Sequence, residues 1–248
     1  MRSISRPAAL AALAALFLAF ASRPVRAADA APNTLSDEEK KAGFKLLFDG
    51  KSTDHFRGYK LDKVKGWEAV DGSLKRVSKD APDLITKDQY GAFELLIDYK
   101  ISPGGNSGIM FHVAETDGPS YVTGPEIQVA DSAKRAKPGR NDNGALYDAV
   151  APSANATKPA GEWNHLRILL APKGQKSSVY MNGKKYYEFD KGSKDWDERV
   201  AKSKFKDMPG FGKQTKGYIA LQNHGDEVEY RNIKIRVIEG NSSASAQK

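Results

Sequence analysis

The 248-residue chain contains no cysteine. That removes disulfides, thiol nucleophiles and thiolate metal sites together, so any exported form of the protein must be held by its own core. Beyond residue 21 no apolar run approaches the roughly 20 residues a membrane helix needs. Also missing are an H-E-x-x-H pair, the glycine patterns of dinucleotide and P-loop sites, a G-x-S-x-G elbow and a serine nucleophile with a histidine placed nearby. For an enzyme, these absences leave a carboxylate-based or metal-assisted mechanism.

The start of the chain reads as a targeting segment rather than as part of a fold. Arg2 and Arg6 precede an almost wholly apolar run from Ala8 to Ala21, and Val25-Arg26-Ala27 is a small-residue cleavage pattern. A signal peptide over 1–27 predicts a periplasmic or secreted protein with no membrane attachment after cleavage. The segment holds four arginines (2, 6, 23 and 26) and no acid, so its removal takes the net charge from +8 to +4. The lysines between Lys184 and Lys216 alternate with Glu188, Asp190, Asp195, Asp197, Glu198 and Asp207. They form a mixed-charge face rather than a nucleic-acid patch, and no nucleic-acid partner is expected.

After a polar leader, Ser36-Asp37-Glu38-Glu39 is an N-cap followed by an acidic first turn, which predicts a short helix inside the 28–42 segment. From Phe44 onward apolar residues recur with period two between clusters of Gly, Pro, Asn and Asp. The runs predict strands at 45–48, 67–70, 74–77, 92–101, 108–114, 126–130, 164–171, 178–181, 184–189, 218–223 and 228–238. Asn182-Gly183 marks a type I′ hairpin, because both turn residues must take positive φ. So many short strands with so little helix predict an all-β fold, a two-sheet antiparallel sandwich of jelly-roll type, formed by one domain over 43–239 and followed by a disordered tail over 240–248. A chain of about 220 residues is long enough to bury a single large core of this kind. Two long loop-like stretches, 132–161 and 191–216, are candidates to wall a site.

Alternation assigns faces. Phe93, Leu95, Ile97 and Tyr99 fall inward, leaving Asp98 outward; Ile109, Phe111 and Val113 fall inward, leaving Met110 and His112 outward. Ile127 and Val129 leave Glu126 and Gln128 outward, and Ile219 and Leu221 leave Gln222 and His224 outward. Acids, amides and imidazoles from four strands are thus expected on one shared polar face. Outward carboxylates are ordinarily only solvated and lone histidines ordinarily structural. His55 and His165 are read that way, as Trp67 and Trp163 are read as packing anchors.

In chain order, Leu47-Phe48-Asp49-Gly50-Lys51, Trp67 with Val70-Asp71-Gly72, Asn106-Ser107-Gly108-Ile109, Gly124-Pro125-Glu126-Ile127-Gln128, Gly144-Ala145-Leu146-Tyr147, Gly161-Glu162-Trp163-Asn164 and Leu221-Gln222-Asn223-His224 with Tyr230-Arg231-Asn232-Ile233 resemble the 3-keto-disaccharide hydrolase family. The likeness runs from about Gly43 to Glu239, nearly the whole of the chain after the signal. It implies a concanavalin A-like sandwich, a carbohydrate substrate, and cleavage of 3-keto-glycosides by hydrolysis or by elimination and hydration through a 3-keto-2-hydroxy-glucal. Such chemistry depends on a sugar 3-dehydrogenase acting upstream. It needs a base near C2, a polarising group at the C3 oxygen and an acid near the leaving oxygen. Glu126 is the expected base, with Asp98 second. His112 is the expected electrophile, standing where family members often carry Arg, and a divalent metal ion held by acids and imidazole is its alternative. Gln128, Asn106, Gln222, His224, Tyr147 and Asp131 are the expected substrate contacts. Two other functions share the fold: a carbohydrate-binding module without catalysis, and a retaining β-glucanase. The spacing Glu126-x-Gln128-x-x-Asp131 approximates the E-x-D-x-x-E pattern of the latter, but with an amide at the centre and a shortened final acid.

Overall fold

A computed structural model describes residues 31–239; the signal segment, its cleavage point and the 240–248 tail lie outside the described residues. Thirteen strands form two antiparallel sheets. In chain order they are β1 (Lys45–Leu46), β2 (Phe56–Gly58), β3 (Trp67–Val70), β4 (Ser73–Arg76), β5 (Leu84–Thr86), β6 (Phe93–Ile101), β7 (Asn106–Val113), β8 (Glu126–Ala130), β9 (Asn164–Leu170), β10 (Ser177–Met181), β11 (Lys184–Phe189), β12 (Tyr218–Leu221) and β13 (Val228–Val237). Eight strands make the larger sheet, in the order β11-β10-β9-β6-β13-β4-β3, with β1 sharing an edge of β13. The smaller sheet runs β2-β5-β12-β7-β8. This is the two-sheet sandwich that alternation predicts.

The core lies where the inward faces meet. From the larger sheet come Phe93, Leu95, Ile97, Tyr99 and Ile101; from the smaller come Ile109, Phe111, Ile127, Val129, Ile219 and Leu221, all in one buried cluster. Each such side chain contributes about 1.5–3 kcal/mol of transfer free energy, which is what commits the strands to this register. Asn182 (φ 49) and Gly183 (φ 82) turn β10 into β11 with Met181 opposite Lys184, the expected hairpin.

The predicted N-terminal helix is α1 (Asp37–Lys41). Ser36 caps it reciprocally: the Glu39 amide donates to Ser36 Oγ at 3.2 Å and the Ser36 amide to Glu39 Oε2 at 2.8 Å. The same buried carboxylate accepts from Lys234 Nζ at 2.9 and 2.7 Å, pinning the helix to β13.

Two strands and one helix are not apparent in the sequence pattern. β2 and β5 have three residues each, too few to express a period, and β5 is buried on both faces, so it cannot alternate. Helix α2 (Lys194–Ala201) lies inside the second long stretch, capped by Ser193 and anchored by the buried Trp196.

Candidate functional site

The site is built on the outer face of the smaller sheet. Glu126 and Gln128 leave β8 on that face as alternation requires, yet they are only 5% and 4% exposed. The cover comes from the first long stretch, whose Gly144–Tyr147 segment runs beside the free edge of β8. The Gly144 amide donates to Gln128 O (2.7 Å), the Gln128 amide to Ala145 O (3.0 Å) and the Tyr147 amide to Glu126 O (2.9 Å). Tyr147 therefore stands next to Glu126.

The Glu126 side chain folds back over Gly108 on the neighbouring strand, where a Cβ would stand 2.0 Å from Oε1 and 2.6 Å from Cδ. Glycine is required at that position by close approach rather than by backbone conformation. With both amides turned, Gln128 Nε2 donates to Glu126 Oε1 and to Ser107 O, each at 3.2 Å, and the Asn106 side-chain amide donates to the Gln128 oxygen at 3.1 Å. Burial pushes the Glu126 carboxyl up to about 7; the Lys204 charge opposes this and the Asp83 charge adds to it.

Asp83 and Lys204 were absent from the sequence-derived set. Asp83 follows Pro82 just before β5, so in sequence it reads as a turn residue. In the fold its Oδ1 accepts the Asn223 amide at 2.8 Å and its Oδ2 bonds the Ser120 hydroxyl. Burial raises its pKa; the hydrogen bonds from Ser120 and Asn223 and the nearby His224 oppose the rise. Lys204 comes from the second long stretch, in sequence one lysine of a mixed-charge run. Its amide donates to Asp148 Oδ2 at 2.8 Å and its ammonium lies 4.1 Å from the centre of the Tyr147 ring. The two long stretches thus meet over Glu126.

Other expected contacts are brought to the same region. Asn106 meets Gln128. Gln222 follows β12 with its amide bonded to Gly108 O (2.8 Å), placing it beside the glycine under Glu126. His224 is exposed and near enough to Asp83 to lower its pKa.

Three expected members are not. Asp98 lies on the larger sheet, opposite His165 of β9 and Arg231 of β13, with Ile97 and Tyr99 facing the core between it and the smaller sheet. Alternation identifies a face within a sheet but not which sheet, so Asp98 and Glu126 stand on opposite outer surfaces. Asp98 is held by His165 Nδ1 (2.8 Å) and Asn232 Nδ2 (2.7 Å). Its burial raises the pKa, but those bonds and the Arg231 charge outweigh it, and the net shift is downward.

His112 is turned away by a β-bulge. Val113 opposes Tyr218 and Met110 opposes Ala220, so Phe111 and His112 together face the single residue Ile219. His112 takes φ 54, and the alternation breaks there. Val113, expected inward, packs outside with Met110, Ala220, Ile85 and Tyr59. His112 instead donates Nε2–H to Gly91 O at 2.9 Å and lines a separate cavity of about 190 Å³ with Lys191 and Trp196. Burial pulls its pKa down to about 4. Asp131 is the third: exposed beyond β8, it accepts the Gly104 amide at 3.0 Å and so closes the β6–β7 turn. That leaves no Glu126–Asp131 pair of the retaining-glycosidase kind. With Asp98, His112 and Glu126 apart, the expected acid–imidazole metal set is not assembled either; among the described residues no group of three or more His, Cys, Asp or Glu is arranged to hold a metal ion.

Residues 43–236 match the family described as the 3-keto-alpha-glucoside-1,2-lyase-like domain. A protein of Bacteroides thetaiotaomicron named 3-keto-disaccharide hydrolase is 32% identical over 233 residues, covering 79% of each chain. A crystal structure from Parabacteroides distasonis, provisionally named a glycosyl hydrolase, superimposes with a TM-score of 0.78 at 30% identity, over 84% of this chain and 100% of that one. A second structure from the same organism, with the same provisional name, gives 0.58 at 31% identity, over 79% and 99%.

Proposed function

The chain belongs to the 3-keto-alpha-glucoside-1,2-lyase-like family, and from that premise we propose that it is a glycoside-cleaving enzyme acting on 3-keto-glycosides by elimination and hydration. The observation that carries the reading is Glu126, a buried carboxyl whose pKa of about 7 suits a base working near neutrality.

The C3 carbonyl acidifies the C2 hydrogen. Glu126 takes that proton, the C2–H pair becomes a C2=C3 bond, and the carbonyl pair moves onto the C3 oxygen. Collapse of this enolate re-forms the carbonyl, makes C1=C2 and expels the glycosidic oxygen, leaving a 3-keto-2-hydroxy-glucal. Asp83, the second carboxyl whose charge acts on Glu126, is assigned to pass a proton to the leaving oxygen. Water then adds across C1=C2. Gln128, Asn106, Gln222 and His224 bind and orient sugar hydroxyls beside these groups.

The substrate must come from a reaction class that oxidises a sugar at C3, a sugar 3-dehydrogenase. Export to the periplasm or medium is part of the same proposal, supported by the apolar run and the Val25-Arg26-Ala27 pattern.

The test is to incubate the purified protein in parallel with a 3-keto-disaccharide and its unoxidised parent. Release of monosaccharide from the oxidised sugar alone, with transient ultraviolet absorption from the enone, is expected. Release without the enone would point to direct hydrolysis. Cleavage of an unoxidised β-glucan would replace the proposal with a conventional glycosidase, and binding without turnover would replace it with a binding module.

A further inference from the structure

Abstraction of the C2 proton places negative charge on the C3 oxygen, and a preorganised cation there is worth more than any other single contribution the site can make. His112, the residue expected to supply it, faces Gly91 instead and is neutral above about pH 4. Lys191 is also occupied: its ammonium donates to Gly212 O at 2.7 Å and Gln214 O at 2.5 Å, beside His112 in the other cavity. Lys204 is placed differently.

An exposed lysine is ordinarily a solvated one, but the backbone here is fixed from both sides. Ser203 and Phe205 flanking it are buried, and Phe205 stacks on Phe211 with ring centres 3.9 Å apart. The Lys204 amide is tied to Asp148 Oδ2. The ammonium rests 4.1 Å from the Tyr147 ring centre and 5.1 Å from that of Phe205, and among the described residues it forms no ion pair with a carboxylate. Aromatic faces hold a cation without neutralising it. Tyr147 in turn is bonded through its backbone to Glu126. An unneutralised cation is therefore held on the segment that covers the base, near enough for its charge to act on Glu126.

We infer that Lys204 is the catalytic electrophile of this site, its ammonium receiving the negative charge that develops on the C3 oxygen of a 3-keto-sugar as Glu126 removes the C2 proton, with Tyr147 as the platform that positions it. The inference rests on the 3-keto-glycoside reading. In the first half-reaction the pair leaving the carbonyl double bond ends on the C3 oxygen beside Lys204; in the second it returns to the carbonyl as the glycosidic oxygen departs. Lys204 forms no bond and exchanges no proton in this account.

Lys204→Met and Lys204→Arg variants test it, with cleavage of a 3-keto-disaccharide as the assay. Met keeps the length without the charge and is expected to lower kcat by about 10²-fold or more, the scale seen when one oxyanion partner is removed. KM should change less than about threefold, because a charge that matters mainly in the transition state adds little to ground-state binding. Arg should restore kcat to within about tenfold of wild type. The acidic limb of kcat/KM should move to higher pH in the Met variant, since Lys204 favours the ionised form of Glu126. A purely structural role would not move that limb.

A Met variant with wild-type kcat, or one whose kcat falls while the acidic limb stays in place, overturns the assignment and leaves the function intact. Should the wild-type protein fail to cleave the oxidised sugar, both the function and the assignment fall.

Discussion

The Glu126 carboxyl lies across the bare Cα of Gly108, so close that a β-carbon on the glycine would stand 2.0 Å from Oε1. Two neighbouring strands thereby set the position of the proposed base: one supplies the carboxyl, the other the space it occupies.

Gly108→Ala should therefore act on catalysis more than on folding. Gly108 is not at positive φ, so alanine fits its backbone, but Glu126 must leave its position. The expected result is a fall in kcat of at least about 10²-fold, the scale on which displaced catalytic groups lose rate, with the circular dichroism spectrum unchanged. Retention of more than half the wild-type kcat would show that Glu126 need not lie over the glycine.

Glu126→Gln should abolish turnover and stabilise the protein, but only at higher pH. The folded-state pKa of about 7 exceeds the ordinary 4.5, so the buried acid favours folding most while it is protonated. That contribution is complete below about pH 4.5 and is lost as pH rises through 7. At pH 8 the ionised wild-type side chain costs on the order of 3 kcal/mol, which glutamine avoids. Chemical denaturation of both proteins at pH 5 and pH 8 measures the gap; a gap that does not widen at pH 8 contradicts the shift.

His112 predicts the opposite pH trend. Its folded pKa, about 4, lies below the ordinary 6.5, so the unfolded chain takes up a proton first as pH falls. Wild-type stability from this residue is complete above about pH 6.5 and declines toward pH 4, by on the order of 3 kcal/mol in total. His112→Asn, which tolerates the positive φ, should be the less stable protein at pH 7 and should close the gap by pH 4.5. Parallel stability curves for the two proteins would rule out a buried neutral imidazole.

Asp98→Asn tests the separation of the two faces. Removing the charge weakens the contacts with His165, Asn232 and Arg231 and should cost about 1–3 kcal/mol of stability. Cleavage of a 3-keto-disaccharide should stay within about twofold of wild type. A tenfold loss of kcat at unchanged fold would return Asp98 to the catalytic set.

Most of the architecture is legible in the residues themselves. Alternation marks the long strands, the Asn182-Gly183 turn marks a hairpin, and Ser36 with Glu39 marks the helix start. Glu126 and Gln128 follow from the same alternation, because Ile127 and Val129 between them must be buried. Gly108, quoted above only as part of the Asn106-Ser107-Gly108-Ile109 motif, acquires a reason once Glu126 is seen above it. The limit is reached where a residue's role depends on something distant in sequence. Asp83 gains its significance from Ser120 and Asn223, and Lys204 from Tyr147.

By itself, then, the chain determined which residues face the core and which face away, except at the bulged end of β7, since that depends on local period and on the free energy of burying apolar side chains. It also carried its family in the order of its motifs. Only the tertiary structure decided which outward residues share a surface. The sheet to which Asp98 belongs is chosen by long-range pairing, the side to which His112 turns by one extra residue in a bulge, and the company of Glu126 by two loops that meet above it. None of these leaves a periodic trace, because pairing and loop packing act between segments that the sequence holds far apart.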